Sequence, residues 1–219
     1  MIDPGKTYSL PEAIDLAKKF PTPKFDPTVT VSFNLGVDPR KSDQMVRGSV
    51  SLPHGTGKDI KVAVFAKGEA AKAAEEAGAQ YVGFEDLIKK VQEGFTDFDA
   101  AIATPEAMAE VRKIARILGP RGLMPNPKTG TVTDDTAKAV REVMAGRIDY
   151  KIDKNANISG PVGRASFEAD KLIENAQAFI ESIVKAKPPA AKGNYIRNVT
   201  VSVAMCPGIP LEPATWSTR

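Results

Sequence analysis

The chain of 219 residues contains one cysteine, one histidine and one tryptophan. With Cys206 as the only thiol, no disulfide can close within the chain, and a reducing compartment is expected. His54 and Cys206 are together too few for a zinc set, so no metal site is expected. A Ser or Cys nucleophile would have to use His54 as its base, and no other residue supports such a site. No catalytic residues and no cofactor are therefore assigned. Long apolar runs are also missing, which excludes a membrane-spanning helix. The opening text MIDPGKTYSL has neither the apolar core nor the Arg-rich pattern of a targeting segment. Strong charge of one sign is absent too. The net charge is only +3, less than many nucleic-acid-binding domains carry.

What is present is an ordinary globular composition, 42% hydrophobic and 26% charged, long enough for one large domain or two small ones. The charge is unevenly placed. Residues 1–55 carry net +1, residues 56–147 net 0, and residues 148–219 net +2. Inside the neutral middle, Val111 to Thr133 holds five cations (Arg112, Lys113, Arg116, Arg121, Lys128) and no acid.

Periodicity divides the chain into three stretches. In the first, Ser9 and Glu12 form a capping box that opens a helix carrying Ile14, Leu16 and Ala17. TVTVSFNL then alternates, with Val29, Val31, Phe33 and Leu35 on one face, as a half-buried strand does. A short strand follows near Gly48–Leu52. From Asp59 the texture changes to strands and helices in alternation. IKVAVFA, AQYVG and FDAAIA read as strands; GEAAKAAEEAG, FEDLIKKVQEG, TPEAMAEVRKIARIL and 134–145 read as helices. That order argues βαβ units around a parallel sheet. After Gly146 come the strands RIDYKID and ANISGPVG, an amphipathic helix over 168–186, and the alternating strand VTVSVAM. The expected architecture is α/β and α+β in two domains. Residues 1–55 and 148–219 form a discontinuous α+β domain, and residues 56–147 form an inserted Rossmann-like, three-layer α/β domain. The chain crosses between them near 53–58 and 145–148.

An α/β middle invites a nucleotide-dependent enzyme, which is the alternative reading. The residues argue against it. A dinucleotide fingerprint needs G-x-G-x-x-G between strand and helix, and only Gly68 follows the first strand. HGTGKD resembles the end of a phosphate-binding loop, but Leu52 stands where the first Gly belongs and Asp59 where Ser or Thr would hold magnesium. RNA fits better. Phe25 beside Lys24 offers a stacking ring next to a phosphate contact, or else it seals the end of the core. GPVGRASF (160–167) offers flexible backbone, Arg164 and a hydroxyl, or else an ordinary turn with a helix cap.

The stretch GPRGLMPNPKTGTV (119–132) is unusual for a connector. Gly119 and Gly122 permit positive φ and close approach, and Pro120, Pro125 and Pro127 hold Gly119, Met124 and Asn126 extended. Arg121 and Lys128 are thus presented rigidly, with Leu123 and Met124 free to pack on a neighbour. Local chemistry leaves an RNA-facing and a domain-facing platform equally open.

ILGPRGLMPNPKTGTV resembles the signature of the bacterial-type family of protein one of the large ribosomal subunit. The likeness extends through KFDPTVTVSFNLGVDPRKSDQMVRGSVSLPHGTGK, FDAAIATPEAM, PVGRASFEADKL and KGNYIRNVTVS, in the family's order and over nearly the whole chain. The resemblance implies a discontinuous RNA-binding domain with a Rossmann-like insertion. It implies a non-enzymatic, cytoplasmic protein of the ribosome that binds the stalk of large-subunit rRNA. It further implies help in releasing deacylated tRNA from the exit site, and repression of its own operon's mRNA. No membrane association and no obligate homo-oligomer are implied. Carried over by position, rRNA contacts fall on Lys24, Phe25 and Thr28, on Gly163, Arg164 and Ser166, and on Ala204, Met205 and Cys206. Arg121, Leu123, Met124 and Lys128 become secondary RNA or interdomain contacts. The chain departs from the family at Val203-Ala204-Met205-Cys206, where Thr-Thr-Met-Gly is usual. It also lacks the short basic segment that usually precedes YSLPEAI-like text.

Overall fold

A computed structural model describes residues 2–3, 5–21, 23–191, 193–213 and 216, and only the main chain of Lys128. The chain is mixed α/β, and its contacts divide it into two units. One comprises residues 1–57 and 148–219; the other, residues 58–147, lies between those segments in sequence. The division falls two residues after the 55/56 boundary read from the sequence.

The first unit is built on a four-stranded antiparallel sheet in the order β7-β1-β8-β9. These strands are Asn157–Arg164, Thr28–Leu35, Ile196–Val203 and Ile209–Leu211. The period-two pattern of β1 sets its faces: Val29, Val31, Phe33 and Leu35 are buried and their neighbours half-buried. Helices α1 (Leu10–Lys18) and α7 (Ala169–Lys185) supply the other side of this core. Phe179 of α7 meets Phe33 edge-on at 5.7 Å between centroids, and meets Tyr150 the same way. Tyr150 lies on β6 (Arg147–Lys151), which pairs with β2 (Arg47–Ser51) in a separate two-stranded sheet. The capping box at α1 is present. Glu12 accepts the Ser9 N–H at 3.2 Å, and that hydrogen bond first, with Ser9's hydroxyl and Lys6 behind it, holds the Glu12 carboxyl below its ordinary value. Strand β9 carried no sequence signal because it is three residues long and contains Pro210, which confines it to an edge.

The second unit has a three-stranded parallel sheet in the order β4-β3-β5 (Tyr81–Gly83, Val62–Phe65, Ala100–Ala103). Alternation sorts its side chains to two separate cores. Ala63, Phe65, Ala101 and Ala103 face one core with α3 (Glu85–Gln92) and the segments α4 (Met108–Val111) and α5 (Ala115–Leu118). Val62, Val64 and Ile102 face the other with α2 (Gly68–Glu76) and α6 (Thr136–Met144). Helices thus cover both faces of a small parallel sheet, as βαβ connections require.

The continuous helix expected over 104–118 is corrected. It is broken by a 3-10 turn at Arg112–Ile114 into α4 and α5, and it begins at Met108 rather than beside Thr104. Thr104 still receives the Met108 N–H on its carbonyl at 3.2 Å. Val111, Ile114 and Leu118 stay fully buried, because residues three and four apart, as these are, share a face.

The proline-rich stretch after α5 is a structured loop. Gly122 has φ 72, but the extended Gly119 expected ahead of Pro120 is corrected: Gly119 ends α5 in helical conformation (φ −58, ψ −54), and a Cβ there would lie 2.7 Å from the Ala115 carbonyl oxygen. Asn126 donates its N–H to the Thr131 hydroxyl at 2.8 Å and accepts the hydroxyls of Thr129 and Thr131 on its carbonyl. The Arg147 guanidinium donates to the Thr129 carbonyl and pairs with Glu142 at 2.5 Å. Leu123 and Met124 are half-buried against the core of α3, α4 and α5. The apolar centre of the loop is therefore satisfied inside its own unit.

Candidate nucleic-acid interface

One end of the four-stranded sheet gathers chain from three places. Strand β1 begins at Thr28, antiparallel β7 ends at Arg164, and β8 ends at Val203. Thr28 stands opposite Arg164, and Val29 stands opposite both Gly163 and Val203. The Ala204 N–H donates to the Thr28 carbonyl at 3.0 Å, and the Ala165 N–H to the Pro27 carbonyl at 2.9 Å. All nine residues carried over as rRNA contacts belong to this end. Lys24 and Phe25 lie just ahead of β1, Gly163 and Arg164 close β7, Ser166 follows, and Ala204, Met205 and Cys206 follow β8.

The backbone here is irregular for local reasons. Val29 pairs with Gly163 but Thr30 with Pro161, so Val162 is an extra residue in β7 and the strand bulges. Gly163 follows the bulge with φ 154, where L side chains are strained, and a Cβ there would also push on Leu172 Cδ2 at 2.7 Å. ANISGPVG is strand as its sequence suggested, and β7 runs one residue further, through Arg164, so the backbone of 160–164 is paired rather than flexible. VTVSVAM also ends early. Ala204 and Met205 turn out of β8, with Met205 at φ 65, an αL conformation that L residues seldom adopt.

This end exposes two large apolar side chains, Phe25 at 52% and Met205 at 85%. Burial would be expected of groups that only sealed a core. Around them are exposed Lys24 and half-buried Arg164. Lys18 donates to the Phe167 carbonyl, and it adds a field that, after the stronger hydrogen bond and charge of Lys171, keeps the Glu168 carboxyl below its ordinary value. Arg164 Nη1 donates to the Asp26 carbonyl at 3.0 Å, leaving most of its fork unused.

Two further residues shape this end and were missed by sequence reasoning. Asp26 accepts both the N–H and the hydroxyl of Ser166, at 3.1 and 2.7 Å. Its signal was an acid set directly after a cation and an aromatic. Asn175, fully buried on α7, donates to the carbonyls of Val162 (2.8 Å) and Gly55 (2.9 Å) and accepts the His54 N–H at 3.0 Å. It therefore ties the bulge to the segment where the first unit's chain runs toward residue 58. An amide on the apolar stripe of Leu172, Ala176 and Phe179 was the readable clue. His54 adds an ion pair with Glu174 at 2.6 Å.

In the second unit, Arg121 is exposed and donates to the Thr96 hydroxyl, while the side chain of Lys128 lies outside the described residues. Arg112 and Arg116 are exposed on the same acid-free run, and Lys113 pairs with Glu110 at 2.7 Å. Among the described residues, no group of His, Cys, Asp or Glu could hold a metal ion, and no helix is long and apolar enough to cross a membrane.

Residues 17–207 match the Ribosomal protein L1p/L10e family, and the chain belongs to it. It is a structural ribosomal protein, working in the cytoplasm on the ribosome, and not an enzyme. Among its relatives, the large ribosomal subunit protein uL1 of Saccharopolyspora erythraea is 56% identical over 213 residues, covering 97% of this chain and 90% of that protein.

Proposed function

We propose that this chain is a large-subunit ribosomal protein that grips the stalk region of large-subunit rRNA with the sheet end of its first unit. The observation that carries the reading is the meeting there of Lys24, Phe25, Thr28, Gly163, Arg164, Ser166 and Ala204–Cys206, with Phe25 and Met205 exposed. Exposed flat or soft apolar groups stack on unpaired bases, while Lys24 and Arg164 meet phosphates. The family and the name of the Saccharopolyspora relative support the large subunit as the place of action.

On this reading the two units are two domains, a discontinuous RNA-binding domain and an inserted Rossmann-like one. The inserted domain contributes secondary contacts through Arg121 and Lys128. The protein assists release of deacylated tRNA from the exit site and represses translation of its own operon's mRNA. Ala204 supplies no hydroxyl where the family usually has one, which removes one neutral hydrogen bond, about 1 kcal/mol. That loss weighs more on the mRNA, bound as a weaker copy of the same recognition, than on rRNA.

Binding to a stalk rRNA fragment over a salt series tests the reading. Affinity falls steeply with salt, and Phe25→Ala with Arg164→Ala weakens it at every salt, the lost cation also flattening the slope by roughly one. Equal binding by wild type and the double variant would overturn the site.

A further inference from the structure

Asp26 is an acid in the middle of an interface built for a polyanion, and its hydrogen bonds give that placement a chemical meaning. Its two carboxylate oxygens take both donors of Ser166: Oδ1 accepts the N–H at 3.1 Å and Oδ2 accepts the hydroxyl at 2.7 Å. A carboxylate has no proton to give, so the Ser166 hydroxyl must point its hydrogen at Asp26. What remains at Ser166 Oγ is lone pairs. Ser166 is exposed, so those lone pairs face solvent and any bound ligand. The main-chain carbonyl of the same Asp26 holds Arg164 Nη1 at 3.0 Å, which orients the guanidinium and leaves its other N–H groups as donors.

We infer that Asp26 fixes the polarity of this interface, making Ser166 an acceptor for a ribose 2′-hydroxyl while Arg164 remains the donor for phosphate. The inference rests on the rRNA-binding reading above and names what Ser166 recognises there. A phosphate oxygen can only accept, and it is repelled by the Asp26 charge, so phosphate is the wrong partner for Ser166. The backbone group of RNA that can donate is the 2′-hydroxyl, which DNA lacks. The acid is thus a positioning residue that tells RNA from DNA without touching the nucleic acid.

The test uses the full chain and a stalk fragment of large-subunit rRNA carrying single 2′-deoxy substitutions, one position at a time. Wild type, Ser166→Ala and Asp26→Asn are compared at fixed salt. Asn in place of Asp26 keeps the shape but turns an amide donor toward Ser166 Oγ, which reverses the hydroxyl. At one nucleotide, or two adjacent ones, the 2′-deoxy change weakens wild type by about fivefold, the size expected for one neutral hydrogen bond. At that same nucleotide it weakens both variants by less than twofold. A structural defect in the variants lowers affinity equally at every position, and that result overturns the inference. So does a deoxy profile for Ser166→Ala that matches wild type, or a loss of discrimination seen only with bases stripped of an amino group. If wild type fails to bind the all-ribose fragment, the rRNA-binding reading itself falls and this inference with it.

Discussion

Asn175 holds three points of the first unit's main chain together. The side chain is fully buried and makes three hydrogen bonds of 2.8 to 3.0 Å. Asn175→Ala leaves the His54 N–H and the carbonyls of Gly55 and Val162 without this partner. At about 1 kcal/mol net for each bond, the first unit loses about 3 kcal/mol. Asn175→Asp is worse at neutral pH, because an acceptor then faces two carbonyl acceptors and a charge is buried without a partner. It improves as pH falls, since a protonated carboxyl donates to one of those carbonyls. Trp216, the only tryptophan, packs against the core of this unit, so its fluorescence reports on that unit alone. With a urea slope of about 2 kcal/mol per molar, the midpoint of Asn175→Ala falls by roughly 1.5 M. A shift under about 0.3 M, or an Asp variant as stable as wild type at pH 7, would refute the reasoning.

Tyr195 is 3% exposed and donates to the Ile183 carbonyl at 3.1 Å, and burial pushes its phenol well above the ordinary value. The folded state holds that phenol neutral, so its contribution is complete below about pH 10 and is lost as pH rises through the folded value. Urea midpoints of wild type therefore fall above pH 10 while those of Tyr195→Phe fall less; parallel curves contradict this. Leu123→Ala removes half-buried surface from the second unit and costs it about 1–2 kcal/mol. Amide exchange across 58–147 quickens, and affinity for stalk RNA stays within twofold; a large loss of affinity would return Leu123 to the RNA surface.

Much of the fold was legible because its signals are local. The alternation of Val29, Val31, Phe33 and Leu35 marked β1 to the residue, since a two-residue period has no helical reading. The alternation of strands and helices from Asp59 likewise announced the parallel sheet. What stayed hidden depends on partners distant in sequence. Leu123 and Met124 looked surplus in their loop because the core of α3 to α5 that receives them begins more than 30 residues earlier. The meeting of Thr28, Gly163 and Ala204 follows from strand pairing, which no local pattern carries. The site residues themselves came from resemblance. Asp26 escaped because its partners Arg164 and Ser166 lie 138 and 140 positions away, and Asn175 because two of its three partners, His54 and Gly55, lie 121 and 120 away.

Hydrogen exchange of the full chain with and without the stalk rRNA fragment tests the central claim most directly. Protection appears at 24–28, 163–166 and 204–206, which border one sheet end, with weaker effects near Arg121. Protection confined to 58–147, or none at the sheet end despite saturating RNA, would contradict it.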